Sequence, residues 1–138
     1  MTKIRRTLNQ FGLAATHPRA VILNCLWKRK DHPDADMVYQ EVHQVIPSLS
    51  LDTVYRTLHL FASKGLLVKL ALPTRRFRFD GGLEAHDHFL CTKCESITDI
   101  EPGKNYNGPF PKKVREVGQV QTLQRVYLGT CHGCMKAI

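Results

Sequence analysis

Apolar residues recur at helical spacing through the first sixty-odd positions. Ile4, Leu8 and Phe11 share one stripe while Lys3, Arg5 and Arg6 fall on other faces, so residues 3–11 are expected to form an amphipathic helix. A second helix is expected with Thr16 as N-cap and Pro18 in its first turn. Its apolar positions are Val21, Ile22, Cys25 and Leu26, and Lys28, Arg29 and Lys30 lie where the helix dipole favours cations. A third spans about 34–46, with Met37, Val38, Val42 and Val45 as its buried stripe and Pro47 as its stop. The fourth spans about 51–64, capped by Ser50 and closed by Gly65. Leu51, Val54, Leu58 and Phe61 are expected to point inward, leaving Thr53, Arg56 and Thr57 outward.

The period then changes. Residues 66–71 and 75–79 read as strands around Pro73, with Phe77 and Phe79 alternating with Arg76 and Arg78. Short helices followed by a basic hairpin describe a winged helix, in which the last helix enters a DNA major groove and the wing follows the backbone. Gly81-Gly82 reads as a hinge. Beyond it strands are expected at about 87–91, 97–100 and 122–130, a short helix at 111–117 and a loop over 101–110. The fold class is therefore α+β: a winged-helix domain over residues 1–82 with the hinge at its end, then a small α/β domain over 83–138.

Charge sharpens this division. Residues 1–80 carry 13 Lys and Arg against 6 Asp and Glu, and the remainder 7 against 6. The basic excess belongs to the helical half, which points to a polyanion partner for that half alone. No apolar run among the 138 residues is long enough to span a membrane, and no signal-peptide core follows the basic start, so a cytoplasmic protein is expected.

Four of the five cysteines form two CxxC pairs, Cys91/Cys94 and Cys131/Cys134. Two intervening residues let both thiolates of a tight turn reach one ion, and two such turns complete a tetrahedral Zn2+ shell. With all four positions filled by protein the zinc is structural. Cys25 sits on an apolar helix face and reads as core. His86-Asp87-His88 is a second candidate, because i and i+2 on a strand share a face. His17, His43, His59 and His132 read as surface residues.

In combination, these stretches resemble the ferric uptake regulator (Fur) family over nearly the whole chain. The resemblance is carried by Gly12-Leu13 with Thr16 and Arg19, and by His32-Pro33-Asp34-Ala35. It continues through residues 50–58 (SLDTVYRTL), Gly65-Leu66, His86-Asp87-His88-Phe89, Asp99 and the cysteine pairs. It is closer to the peroxide-sensing PerR branch, since iron-sensing relatives typically have glutamate where Asp80 stands. The resemblance implies a homodimer, the second domain serving dimerisation, that represses transcription by binding double-stranded operator DNA. It implies a regulatory Fe2+ or Mn2+ held by His32, Asp80, His86, His88 and Asp99, clamping the domains in the DNA-binding form. It implies that His32 and His86 are oxidised when bound iron reduces hydrogen peroxide. Two departures stand out: Glu95 replaces a glycine that often follows the first CxxC, and Thr16-His17-Pro18-Arg19 replaces Thr-Pro-x-Arg.

For DNA, Tyr55 and Arg56 are the expected base-reading residues, with Thr53 and Thr57 beside them. Arg19, Arg76 and Arg78, together with Lys3, Arg5 and Arg6, are expected at phosphates. Within the same fold, a sensor of iron, zinc or manganese availability is the alternative. A zinc hydrolase would need an open site and a general base, and no HExxH motif is present. A zinc ribbon without regulation would leave the HxH unexplained.

Overall fold

Three helices begin where a side-chain oxygen captures an N–H of the first turn. In the computed structural model, which describes residues 2–70, 72–81, 87–101, 110–120, 123 and 125–136, Thr16 caps helix α2 (His17–Lys28) by accepting from Arg19 N at 3.4 Å. Asp34 caps α3 (Ala35–Val45) through Met37 N at 2.8 Å. Ser50 caps α4 (Leu51–Ser63) through Thr53 N at 3.1 Å. Each cap satisfies a backbone donor the helix itself leaves unpaired. Helix α1 (Thr2–Gln10) precedes them and buries Ile4 and Leu8. Helix α4 closes on Gly65, whose φ of +79° suits glycine. Gly65 N donates to Ala62 O and Leu66 N to Phe61 O, so the last turn's carbonyls are satisfied.

The chain divides into two compact units, Met1–Leu83 and Glu84–Ile138. In the first, Leu8, Ile22, Leu23, Leu26, Val42, Val54, Leu58, Phe61 and Phe79 form a core almost sealed from water. Burial on this scale is the main term holding the helices together. Three expectations fail here. Val45 is 61 % exposed because Ile46 takes the seat above Val42. Leu51 is 41 % exposed because it begins α4, ahead of the turn that packs. Thr57 is buried, lying between Val54 and Phe61 on the packed face, and its hydroxyl donates to Thr53 O at 2.7 Å.

The wing pairs β1 (Val68–Lys69) with β2 (Phe79–Asp80), antiparallel, with Val68 opposite Asp80. These strands are shorter than the 66–71 and 75–79 expected. Pro73 offers no ladder donor, and Thr74 turns on itself, its N–H meeting Leu72 O and its hydroxyl Arg76 O. Phe77 is consequently exposed while Phe79 is buried.

In the second unit β3 (Asp87–Cys91) is central, antiparallel to β4 (Ile97–Ile100) and parallel to β5 (Val126–Gly129). A parallel neighbour needs a long crossover, and α5 (Lys112–Val117) lies within it. Helix α6 (His132–Lys136) was not expected. Among the described residues only Leu90, Cys91 and Ile97 are buried apolar positions of this unit. So small a core needs reinforcement. Of the sequence expectations, Gly82, His86, most of the 101–110 loop and positions 71, 122 and 124 of the expected strands lie outside the described residues.

Candidate metal centres and nucleic-acid interface

The parallel β3–β5 ladder sets Cys91 opposite Gly129, so the two knuckles open at the same end of the sheet. The Sγ atoms of Cys91, Cys94, Cys131 and Cys134 all lie within 4.8 Å of one another. Cys94 and Cys131 Sγ are 3.9 Å apart. Four sulfurs about 2.3 Å from one tetrahedral ion would be separated by about 3.8 Å. Cys131 N donates to Cys91 Sγ at 3.3 Å, and Cys134 N to Cys131 Sγ at 3.4 Å. The N–H of Cys131, followed by that of Cys94, holds the Cys91 thiol down at about 6. The Ser96 hydroxyl lowers Cys94, whereas Cys134 is pushed up to about 12, chiefly by its contact with the Cys131 sulfur. Four sulfurs crowded together and supplied with N–H donors fit a soft-to-borderline divalent ion. With the tetrahedron filled by protein, no position is left for substrate. Cys25 contrasts with them: it is buried in the first unit, and its thiol is pushed up to about 12 by burial and then by Glu41. It is an inert core residue.

The histidine–aspartate residues appear as two pairs, one in each unit. In the first, His32 and Asp80 are 2 % and 7 % exposed, with Nδ1 and Oδ2 3.6 Å apart. His32 has φ +53°, uncommon for a residue with a Cβ. In the second, His88 is buried opposite Asp99 in the β3–β4 register, with Nε2 3.5 Å from Oδ1. Imidazole facing carboxylate is a harder donor set than four thiolates and fits Fe2+ or Mn2+. His86 lies outside the described residues. Asp87, to which no role was given in the sequence, is buried and paired with Arg125 at 3.2 Å. Strand alternation, which turns it away from His88, was the available signal.

On α4 Asp52, Thr53, Tyr55 and Arg56 are among the exposed residues. Arg56 Nε lies 3.0 Å from Asp52 Oδ2, with both side chains largely exposed. Thr57, expected beside them, is withdrawn into the core and is not available to DNA. Arg78, also expected at a phosphate, is engaged within the first unit: its Nε donates to His32 O and its second terminal nitrogen to Asp31 O at 2.9 Å. Arg76 pairs with Asp36, and Arg19 donates to Ala14 O at 3.0 Å. His59, read in the sequence as a surface residue, is half-buried among Tyr55, Phe77 and Phe79. Leu51, Tyr55, Leu72 and Phe77 line an open groove of about 410 Å³ between α4 and the wing.

A basic winged helix followed by a small metal-binding α/β unit defines a class of metal-responsive transcription regulators. The chain belongs to the Ferric uptake regulator family, whose model matches residues 10–107. It is 33% identical over 129 residues to the peroxide-responsive repressor PerR of Staphylococcus aureus, covering 93% of this chain and 86% of that one. Its fold is similar to the Campylobacter jejuni peroxide stress regulator, with TM-score 0.70, 31% identity and coverage of 84% and 87%. It is also similar to the Helicobacter pylori ferric uptake regulator Fur, with TM-score 0.76, 18% identity and coverage of 97% and 90%.

Proposed function

We propose that this regulator binds double-stranded operator DNA as a homodimer and releases it when hydrogen peroxide oxidises its regulatory metal ligands. The observation that carries the reading is the buried His32–Asp80 pair, with aspartate where iron-sensing relatives typically have glutamate. In this reading His32, Asp80, His86, His88 and Asp99 hold one Fe2+ or Mn2+. Cys91, Cys94, Cys131 and Cys134 hold a structural Zn2+.

Iron held there would activate the peroxide O–O bond, while the two electrons that reduce the peroxide come, overall, from the imidazole ring. One oxygen ends on a carbon of the His32 or His86 imidazole, and the other leaves as water. An oxidised imidazole is a poorer ligand, the metal is released, and the population shifts away from the DNA-binding form. The event consumes the site, so it is not enzymatic turnover. At the DNA, Arg56 and Tyr55 read bases, flanked by Thr53, while Arg19 and Arg76 meet phosphates.

Homodimerisation is supported by apolar side chains left exposed on the second unit: Val117 at 76 %, Leu128 at 57 % and Tyr127 at 51 %. No helix among the described residues is long and apolar enough to cross a membrane, and the reading places the protein in the cytoplasm.

The test is mass spectrometry of tryptic peptides after brief peroxide exposure of Fe2+-loaded protein, with Mn2+-loaded protein as control. One added oxygen on the His32 or His86 peptide, in the iron sample alone, is the expected result. Intact histidines despite confirmed iron occupancy would make the protein a metal-availability sensor instead.

A further inference from the structure

Asp31, His32 and Pro33 form the loop that leads into α3, and the end of the wing grips this loop at consecutive positions. Arg78 Nε donates to His32 O, and a terminal nitrogen of the same guanidinium donates to Asp31 O at 2.9 Å. The next residue, Phe79, donates its N–H to Pro33 O at 3.0 Å while its ring is fully buried. The residue after that, Asp80, sets its carboxylate 3.6 Å from the His32 ring. Asp31 is held from its other side by Arg29, with contacts of 3.0 and 2.7 Å.

Arg78 and Asp80 are two residues apart, the spacing that puts side chains on one face of an extended chain. Phe79 turns the other way into the core. One face of the wing therefore holds His32 twice: Arg78 by its backbone and Asp80 by its ring. The grip falls on the residue whose φ is +53°. Non-glycine residues hold such a conformation only where their surroundings over-determine it. A planar guanidinium meets two successive carbonyls at once, which a lysine ammonium does not do with the same fixed geometry.

From this geometry we infer that Arg78 is a positioning residue for the regulatory metal site: it fixes the His32 backbone so that the imidazole faces Asp80, and it ties metal binding to the order of the wing. The inference rests on the reading of His32 as a metal ligand. It replaces the phosphate contact expected for Arg78 from the sequence. Because the same wing segment belongs to the DNA-binding unit, the coupling is reciprocal: what orders the wing favours the metal, and the metal favours an ordered wing.

The experiment is a Mn2+ titration of the zinc-loaded full chain, reading free Mn2+ by electron paramagnetic resonance, with amide hydrogen exchange at Phe79. The variants are Arg78→Gln, Arg78→Lys and His32→Ala. Removing a group that orients a metal ligand typically weakens binding about 10- to 100-fold. Arg78→Gln is expected to fall in that range, Arg78→Lys to recover part of it, and Phe79 to exchange faster in both. Zinc content should stay at the parental value.

Parental Mn2+ affinity in Arg78→Gln, with binding lost in His32→Ala, would overturn the inference and leave the site reading standing. Parental affinity in His32→Ala would remove the site reading and the inference with it. A salt slope of DNA binding reduced by about one in Arg78→Gln, at unchanged Mn2+ affinity, would return Arg78 to a phosphate. If Arg78→Gln does not fold, Arg78→Lys decides alone, and parental affinity there overturns the inference.

Discussion

Tyr55 and His59 meet one turn apart on α4 with ring centroids 4.4 Å apart and planes tilted by 48°, and His59 meets Phe77 and Phe79 edge-on at 5.6 and 5.5 Å. One imidazole thus joins the helix expected in the major groove to the wing expected along the backbone. Aromatic pairs contribute about 0.5–1.5 kcal/mol each beyond area burial. His59→Ala is expected to destabilise the first unit by about 1–3 kcal/mol through these losses. It should also weaken DNA binding, because Tyr55 and the wing lose their common prop. Chemical denaturation and a DNA-binding titration check the two effects, and unchanged DNA affinity would remove His59 from this role.

The same residue gives the fold a pH dependence. Burial, and secondarily the nearby Lys69 ammonium, hold His59 below its ordinary 6.5. As pH falls through 6.5 the unfolded chain takes up the proton first, so stability falls until the lower folded value is passed. Urea midpoints at pH 7.5 and 5.5 should therefore differ in the parental protein, the acid value being lower. The gap should narrow in His59→Phe, which keeps a ring without a titrating nitrogen. An identical gap would assign the dependence to other groups.

Arg56 offers a cleaner separation of binding from folding. Its pairing with Asp52 is exposed and one turn long, an arrangement that contributes at most about 0.5 kcal/mol to stability. Arg56→Ala should leave the melting midpoint nearly unchanged. If the guanidinium reads a guanine, operator binding should weaken by about 1–3 kcal/mol and discrimination at that base pair should relax. Uniform weakening across all sequences would make it a phosphate contact instead.

The four-cysteine centre is expected to carry the stability of the second unit, whose described apolar core is so small. Cys91→Ser and Cys131→Ser should each abolish stoichiometric zinc and unfold that unit. Structural zinc contributes on the order of 10 kcal/mol in small peptides. Zinc content by atomic emission, together with far-ultraviolet circular dichroism, gives the answer. Retained structure without zinc would refute the structural role.

Two left-handed positions should respond with opposite signs. Gly65 has φ +79° with open space where a Cβ would stand, so Gly65→Ala costs about 1 kcal/mol by conformation alone. Glu95 has φ +59° at the position where relatives often carry glycine. Its N–H closes the first knuckle on Cys91 O at 2.9 Å. Glu95→Gly is expected to raise the stability of the second unit by up to about 1 kcal/mol. Thermal midpoints of the zinc-loaded variants check both signs.

Local chemistry was the legible part of this sequence. Thr16, Ser50 and Gly65 announced helix ends because capping depends on residues within one turn. The two CxxC pairs announced a shared ion because their spacing is itself the geometry. Context decided the rest. Periodicity does not say which of Val45 and Ile46 meets the core, and it gave Thr57 to solvent though Val54 and Phe61 bracket it. The bond from Arg78 to a carbonyl 46 residues away had no mark in the sequence, where an arginine in a basic wing gives only the expectation of a phosphate. The pairing of His32 with Asp80 is equally non-local and came from family resemblance, not spacing.

The parallel alignment of β5 with β3 has a consequence for synthesis. The sulfur of Cys91 accepts from a backbone N–H 40 residues further along. During translation the first two cysteines therefore emerge long before the second two, and for that interval they can offer an ion only half a coordination shell. Contacts of such separation form late and slowly. Zinc capture is thus expected to be a closing step of this unit's maturation, the moment at which its central strand acquires its last neighbour.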